Sequence, residues 1–392
     1  MRIVMRQRRR VAAATLFASL ILGTSARAEN GAADLERELA ALQVGSHVPG
    51  FCVVMFDADH MIYEKGFGFA DLAARRPYTV TTVQPIGSIS KTLIGMALMK
   101  GVERGWFKLD DDVNTILPFP VRNPAFPDRP ITLRQLATHT SGIVDRETVY
   151  AASYVPGDRN PLRIDAFLKS YFSKDGKTYS KRNFAATAPG STYAYSNIGA
   201  TLAAYAVEVK AGESYADFTR KTFLQPMGMK SSGWTDAETG ADHAILYGEK
   251  LKPYPLYTLA TYPDGGLRTS CTDLARLVTA VLKGRAGEDG ILKASAIAAL
   301  LKPEFAAGEI PAGLSAKEPN QGIFWQYRRE GTIGHFGGDP GVTTFMGIDP
   351  KTNIGRIVLA NVGGEEALRA YGGELAAIWR AVLAHVPAVA PK

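Results

Sequence analysis

Cysteine is scarce: the 392-residue chain has two, Cys52 and Cys271. With only six histidines besides, none grouped with cysteine at metal-ligand spacing, the composition excludes a zinc module and a disulfide-dense scaffold. Long apolar runs are missing too. Beyond residue 28 no stretch reaches the roughly 20 apolar residues that a membrane-spanning helix needs. The sequence has no internal repeat and no low-complexity segment. A basic surplus is lacking once the first residues are set aside. The formal charge of +7 includes six arginines within residues 1–28, which hold no acid, so the remainder carries +1. That balance gives no electrostatic case for binding nucleic acid or anionic lipid.

The first residues read as a secretory signal peptide. Arg2, Arg6 and Arg8-Arg9-Arg10 form a basic start, Val11 to Gly23 a short apolar core, and Ala26-Arg27-Ala28 a small-x-small cleavage site before Glu29. Cleavage after Ala28 predicts a periplasmic or secreted mature protein without a stable membrane span. The arginine triplet leaves twin-arginine export open beside the general route. An exported compartment permits a Cys52–Cys271 disulfide. Cys52 lies in the apolar run Gly50-Phe51-Cys52-Val53-Val54-Met55, however, and reads first as a small buried hydrophobe.

The mature chain alternates strand-like and helix-like stretches. Leu35, Leu39 and Leu42 predict an amphipathic helix over 33–43. Phe51 to Phe56 and Met61 to Phe69 read as strands of a hairpin turning at Asp57–His60. An apolar helix runs to about Glu103. Thr132 caps a short helix that ends at Ala137. Residues 144–190 read as an irregular lid or binding loop. Helices are predicted for Ile198 to Val209, about Tyr215 to Phe223, Thr272 to Leu282 with Thr272 as cap, Lys293 to Leu301, and Glu365 to about His385. Ile323–Arg328, Thr343–Ile348 and Gly355–Val362 read as strands. Strands at both ends with helices between predict an α/β (α+β) fold. Its antiparallel sheet is built from N- and C-terminal strands flanked by helices, and a mainly helical region is inserted. The expected parts are an α/β portion at about 29–90 and 265–392, and a helical portion at about 91–264.

The chemistry gathers on three separated stretches. In Ile86-Gly87-Ser88-Ile89-Ser90-Lys91-Thr92, residues three apart share a helix face, so Ser88 and Lys91 can meet. A serine hydroxyl needs an adjacent base to act as a nucleophile. A desolvated lysine loses basicity and can take that proton. The apolar run Leu93 to Met99 predicts the burial this requires. In Tyr195-Ser196-Asn197, a phenolate favoured by Lys91 could accept the serine proton and pass it to a leaving group. Asn197 could hold Lys91 or a substrate amide. In His335-Phe336-Gly337-Gly338, a neutral imidazole could accept from the tyrosine or donate to substrate, and would change charge near pH 6.5. The glycines would let substrate lie along the strand.

Ser88-x-x-Lys91, Tyr195-x-Asn197 and His335-x-Gly337 in this order resemble the serine β-lactamase and penicillin-binding protein superfamily. The branch with class C β-lactamases, DD-peptidases, D-aminopeptidases and esterases is the most similar. Leu136-Ala137-Thr138-His139-Thr140-Ser141-Gly142, Pro189-Gly190 and Gly265-Gly266-Leu267 extend the likeness over roughly residues 35–385. The resemblance implies a β-lactamase/transpeptidase-like fold and a serine hydrolase acting on a small-molecule or peptide substrate, with no cofactor and no metal. It implies Ser88 as nucleophile, Lys91 and Tyr195 as proton carriers, and Asn197, His335, Gly337 and Gly338 as substrate-binding residues. The N–H groups of Ser88 and Gly338 would form the oxyanion hole, and Tyr195 would serve deacylation. Many relatives carry K-T-G where this chain has His335-Phe336-Gly337. That departure weakens the grip on a substrate carboxylate unless Arg328 or Arg329 compensates. The readings left open are an ester or D-amino-acid-type amide hydrolase, a class C-like β-lactamase, and a slowly deacylating penicillin-recognising sensor. Oligomeric state is not legible in the sequence.

Overall fold

A computed structural model describes residues 31–160, 162–240 and 242–385. The predicted signal peptide lies outside the described residues. The described residues form two compact units, one from residues 31–47 and 371–385 and one within residues 48–370. In the first, residues 31–44 are helical. There His47 stacks on Tyr371 at 5.1 Å, and its Nδ1 lies 2.9 Å from Glu374 Oε1.

The second unit is built on an eight-stranded antiparallel sheet. Its order is Arg76–Pro77, Met61–Asp71, Gly50–Phe56, Ile354–Ala360, Val342–Asp349, Ile333–Asp339, Gln326–Tyr327 and Asn320–Gln321. The first long strand pairs with the last, Phe51 opposite Ala360 and Val54 opposite Ile357. The predicted sheet from both ends of the chain is therefore present. Gly50–Phe56 and Ile354–Ala360 are buried along their whole length, which explains the unbroken apolar run of the first and the apolar character of the second apart from Arg356. A hairpin joins Met61–Asp71 to Gly50–Phe56, and Asp57 Oδ1 accepts from the N–H groups of Asp59 and His60 in its turn.

Helix Ser90–Glu103 is buried on nearly every side and packs against helix Asn197–Ala211. This explains why its sequence is apolar all round rather than striped. The short helix Leu133–Ala137 starts at a capping box between Thr132 and Gln135, an arrangement worth about 1 kcal/mol.

Several boundaries differ from expectation. Segment 144–190 holds helices Glu147–Ala151 and Ile164–Phe172 and strand Tyr154–Pro156, not a bare loop. Ile164, Phe167, Leu168 and Tyr171 bury one helical stripe. Helix Cys271–Arg285 begins one residue early, because the Ser270 hydroxyl, not Thr272, accepts the capping bond from Asp273 N–H. Within the predicted strand Ile323–Arg328 only Gln326–Tyr327 is extended, and Phe324 turns the chain at φ +57°. The expected helix to Phe223 stops at Thr219 and continues as a π-turn, Arg220–Leu224. Cys52 and Cys271 are both buried and disulfide-bonded, which ties the sheet to the Cys271–Arg285 helix.

Candidate active site

Ser88 sits in a 3₁₀ turn, Gly87–Ile89, that runs straight into helix Ser90–Glu103. The turn is held from two sides. Ile86 N–H donates to Leu267 O at 3.0 Å, and Leu267 N–H donates to Ser90 Oγ at 3.1 Å. Across the sheet, the Thr344 hydroxyl bridges Ile86 O at 2.8 Å and Gly337 O at 3.3 Å. A Cβ on Gly337 would stand 2.2 Å from both Ile86 O and Thr344 Oγ1. Glycine is thus required for the strand to approach the serine turn. Gly87 adopts φ +54°, and its Cα side faces the Gly338 nitrogen. Gly338 is exposed and borders the cavities around Ser88, whereas Gly337 is buried behind it. Gly337 therefore sets the spacing, and Gly338 is the glycine that meets substrate space.

Lys91 is fully buried. Its Nζ lies 3.0 Å from Ser88 Oγ, 2.7 Å from Asn197 Oδ1 and 2.6 Å from the main-chain oxygen of Asp264. Burial pushes its pKa below the ordinary ammonium value, against the pull of the Asp264, Asp145 and Asp339 carboxyls. Two of its three partners are carbonyl oxygens, which only accept. A neutral amine satisfies both with its two hydrogens and turns its lone pair to the Ser88 hydroxyl.

The helix that carries Asn197 is anchored by a residue sequence reasoning passed over. Asp145 accepts from Ser196 Oγ at 2.6 Å, Asn197 N–H at 2.6 Å and Ile198 N–H at 3.1 Å. A carboxylate on a helix N-terminus is favourable, but burial still raises its pKa. A second such residue is His139. Its φ of +55° turns the ring onto Tyr195, with centroids 4.3 Å apart. Its Nδ1 accepts from Ser196 N–H at 3.2 Å and its carbonyl from Ala194 N–H at 2.8 Å. Burial holds it neutral, far below the usual histidine range. The run of Thr, His and Ser at 138–141 was the available signal.

Tyr195 lies at the cavity mouth, 36 % exposed, with Lys91 Nζ 5.1 Å from its ring centre. Protein crowding nevertheless pushes its pKa up, and a hydrogen bond with Ser88 opposes this only in part. The expected phenolate is thus not the resting form; Tyr195 is a neutral phenol beside a weakened amine.

His335 is buried, and its Nδ1 stands 2.6 Å from Phe336 O. A carbonyl only accepts, so Nδ1 carries the proton. Nε2 is left as an acceptor, buried and unpartnered. Burial first, then the Lys91 charge, lowers its pKa to about 3. The expected charge change near pH 6.5 does not occur at this position. Arg328 does not supply the missing cation either, because Glu318 holds it at 2.7 Å and Glu330 at 3.7 Å. Two cavities flank Ser88. The larger, about 710 Å³, is bordered by Tyr193, Tyr195, Glu318, His335, Phe336 and Leu368 among others. The smaller, about 220 Å³, lies over Asn197, Asp264 and Asp339.

A buried lysine, a turn-borne serine and a tyrosine–asparagine helix start beside a glycine-lined strand are the arrangement of the serine hydrolases of the β-lactamase and penicillin-binding protein superfamily. The sequence profile of the Beta-lactamase family matches residues 32–378, and the chain belongs to that family. Among its relatives is the D-alanyl-D-alanine-carboxypeptidase/endopeptidase AmpH of Escherichia coli K12. It is 26% identical over 324 residues, with 80% of each chain covered. Penicillin-binding protein 4* of Bacillus subtilis strain 168 is 24% identical over 316 residues, covering 75% of this chain and 64% of the relative. The octameric penicillin-binding protein homologue from Pyrococcus abyssi superimposes with a TM-score of 0.70. It has 26% identity and covers 89% of this chain and 77% of that one. The D-amino acid amidase of Ochrobactrum anthropi SV3, in complex with L-phenylalanine amide, shares the fold at TM-score 0.66 and 22% identity, covering 90% and 99%.

Proposed function

We propose that this protein is an exported hydrolase that cleaves an ester or amide through an acyl-enzyme on Ser88. The carrying observation is the Lys91 amine, buried and 3.0 Å from Ser88 Oγ, with two carbonyl acceptors saturating its hydrogens. Lys91 takes the hydroxyl proton as Ser88 attacks the carbonyl carbon. The N–H groups of Ser88 and Gly338 stabilise the oxyanion. The neutral Tyr195 phenol gives its proton to the leaving group, and the phenolate is reprotonated by the Lys91 ammonium, which holds the proton taken from Ser88. Water then resolves the ester along the same path in reverse. Asn197 fixes Lys91, and His335 Nε2 accepts a hydrogen bond from Tyr195 or substrate.

The leaving-group side favours uncharged groups over carboxylates. His335 is neutral, Arg328 is paired, and Glu318 and Glu365 border the larger cavity. A second reading, action on D-alanyl peptides or β-lactams, draws on the AmpH likeness for the first and on membership of the Beta-lactamase family for the second. Export is supported by the signal-peptide pattern and by the Cys52–Cys271 disulfide, which suits an oxidising compartment.

A fluorophosphonate probe tests the assignment. The wild type should label covalently and Ser88→Ala should not; labelling that persists in the variant overturns it. Turnover of p-nitrophenyl esters, D-alanine amides and nitrocefin then separates the two substrate readings.

A further inference from the structure

Tyr195 lies at the cavity mouth, and its hydroxyl has a hydrogen bond with Ser88. On acylation Ser88 Oγ becomes an ester oxygen. A bond that the reaction itself consumes cannot hold the phenol in place through the cycle. Asp145 anchors the chain from Ser196 onward, through Ser196 Oγ, Asn197 N–H and Ile198 N–H. None of those three bonds is made to residue 195.

His139 grips residue 195 from both sides. Its carbonyl accepts from Ala194 N–H at 2.8 Å, and its Nδ1 accepts from Ser196 N–H at 3.2 Å. Between these bonds its ring packs on the Tyr195 ring, with centroids 4.3 Å apart and planes inclined by 32°. One residue thus brackets the tyrosine along the chain and touches it in space. This reach depends on φ +55°, a conformation that His and Asn adopt more readily than most residues. Because Nδ1 accepts, the proton of the neutral ring sits on Nε2.

The histidine is itself immobilised. Thr138 N–H donates to Arg134 O, His139 N–H to Leu136 O and Thr140 N–H to Gln135 O, which ties its backbone to the end of helix Leu133–Ala137. The Phe324 ring meets the imidazole edge-on at 5.5 Å, and Tyr193 does so at 5.9 Å. Phe324 N–H donates to Ala137 O at 3.1 Å, and Phe324 also holds a positive φ, +57°. A bulky residue in that region is strained, and such strain persists only where the surroundings impose it. Two residues at positive φ, packed ring against ring beside one tyrosine, point to a constraint on that tyrosine.

We propose that His139 is the positioning residue of Tyr195, aiming the phenol at the leaving group while Phe324 wedges the imidazole in place. The proposal rests on the hydrolase reading, in which Tyr195 protonates the departing group. His139 exchanges no proton in this role. It fixes the angle of a ring that borders open cavity space. A misplacement of about 1 Å in a catalytic group costs up to ~10²-fold in rate. Here the cost falls on leaving groups that need the proton.

The test pairs the p-nitrophenyl and methyl esters of phenylacetic acid, with acylation read as kcat/KM. p-Nitrophenolate departs without a proton; methoxide needs one. His139→Asn suits positive φ and keeps an acceptor near the place of Nδ1, but removes the ring. It should slow the methyl ester by at least ~10-fold and the p-nitrophenyl ester distinctly less. In a Tyr195→Phe background the same substitution should alter either rate by less than ~2-fold, because no phenol is left to aim. Equal losses on both esters, or the same loss with and without the Tyr195 hydroxyl, overturn the proposal. Phe324→Asn, which also suits positive φ, should show the same leaving-group selectivity at smaller size, and it carries the test where His139→Asn does not fold. Selectivity absent from the folded variants overturns the proposal. The fluorophosphonate loses fluoride as an anion, so it should still label Ser88 in His139→Asn that is folded by circular dichroism. Loss of labelling there overturns the proposal, because His139 would then sustain Ser88 and Lys91 instead. An unlabelled wild type refutes the hydrolase reading itself. Wild-type labelling and turnover without this selectivity in the variants refute the positioning role alone.

Discussion

Lys91 Nζ lies 2.6 Å from the main-chain oxygen of Asp264, a residue 173 positions away whose side chain belongs to the acidic cavity. The proposed base is thus held by the same loop that shapes the space beside the proposed nucleophile. Replacing Lys91 by methionine removes the proton acceptor and leaves the Asp264 and Asn197 oxygens without a donor. The expected result is a loss of ~10²–10⁴-fold in the acylation rate, read by the burst phase with a p-nitrophenyl ester. A loss below 10-fold would move the base elsewhere.

Tyr195→Phe tests the leaving-group role. If the phenol supplies a proton, its removal matters most where the departing group is basic. Turnover of an alkyl ester or amide should fall by about 10²-fold or more, and that of a p-nitrophenyl ester by much less. Equal losses on both substrates would contradict a proton donated to the leaving group and assign the hydroxyl to a step that both substrates share.

The pH profile follows from two groups displaced in the same direction. The competent Lys91 is the neutral amine, so kcat/KM should rise with pH along a limb centred below the ordinary lysine value of 10.5. His335, at about 3, stays neutral from pH 5 to 8 and contributes no limb there. His335→Gln should lower the rate while leaving the limb in place. A limb near 6.5 that disappears in this variant would show a titrating imidazole.

Stability carries the opposite mark. The Asp264 and Asp339 carboxyls have an ordinary value of 3.8, but in the folded protein they titrate at about 6 and about 7. Between those limits the folded state binds more protons than the unfolded one, so their contribution to stability falls as pH rises. Asp339→Asn removes one of these penalties. The variant should gain stability over wild type on going from pH 5 to pH 8, by a few kcal/mol at most. Urea unfolding at the two pH values measures the difference. A gain that does not grow with pH would contradict a buried, strained carboxyl.

Glycine spacing offers a contrast within one strand. A Cβ at Gly337 meets Ile86 O and Thr344 Oγ1 at 2.2 Å, whereas at Gly338 the nearest atom is Phe336 Cε1 at 3.4 Å. Gly337→Ala should displace the Ser88 turn and cost roughly 10²-fold in activity. Gly338→Ala should cost distinctly less. The reverse order, with both variants folded by circular dichroism, would place the close approach elsewhere.

Much of the site was legible because its chemistry is local in sequence. Ser88 and Lys91 share a turn, and Tyr195 and Asn197 share a helix start. Continuous apolar, β-rich runs placed the central strands and an apolar run the buried Ser90–Glu103 helix, and strands at both ends of the chain gave the shared antiparallel sheet. Segment 144–190 was harder: Ile164, Phe167, Leu168 and Tyr171 did carry a helical stripe, but surrounding Pro, Gly and Lys residues masked it. Asp145 and His139 escaped because a cap contributed from over 50 residues away, and a ring turned by positive φ, leave no spacing rule.

The sequence by itself determined the candidate reacting groups and most of the elements that carry them, since local apolar patterning and residue chemistry suffice for both. Only the tertiary structure decided their protonation and their surroundings. Burial weakens Lys91 and keeps His335 neutral, and packing joins Cys52 to Cys271 and sets Asp264 and Asp339 beside Ser88. A pKa and a cavity depend on which distant segments exclude water from a point, and that is a property of packing rather than of order along the chain.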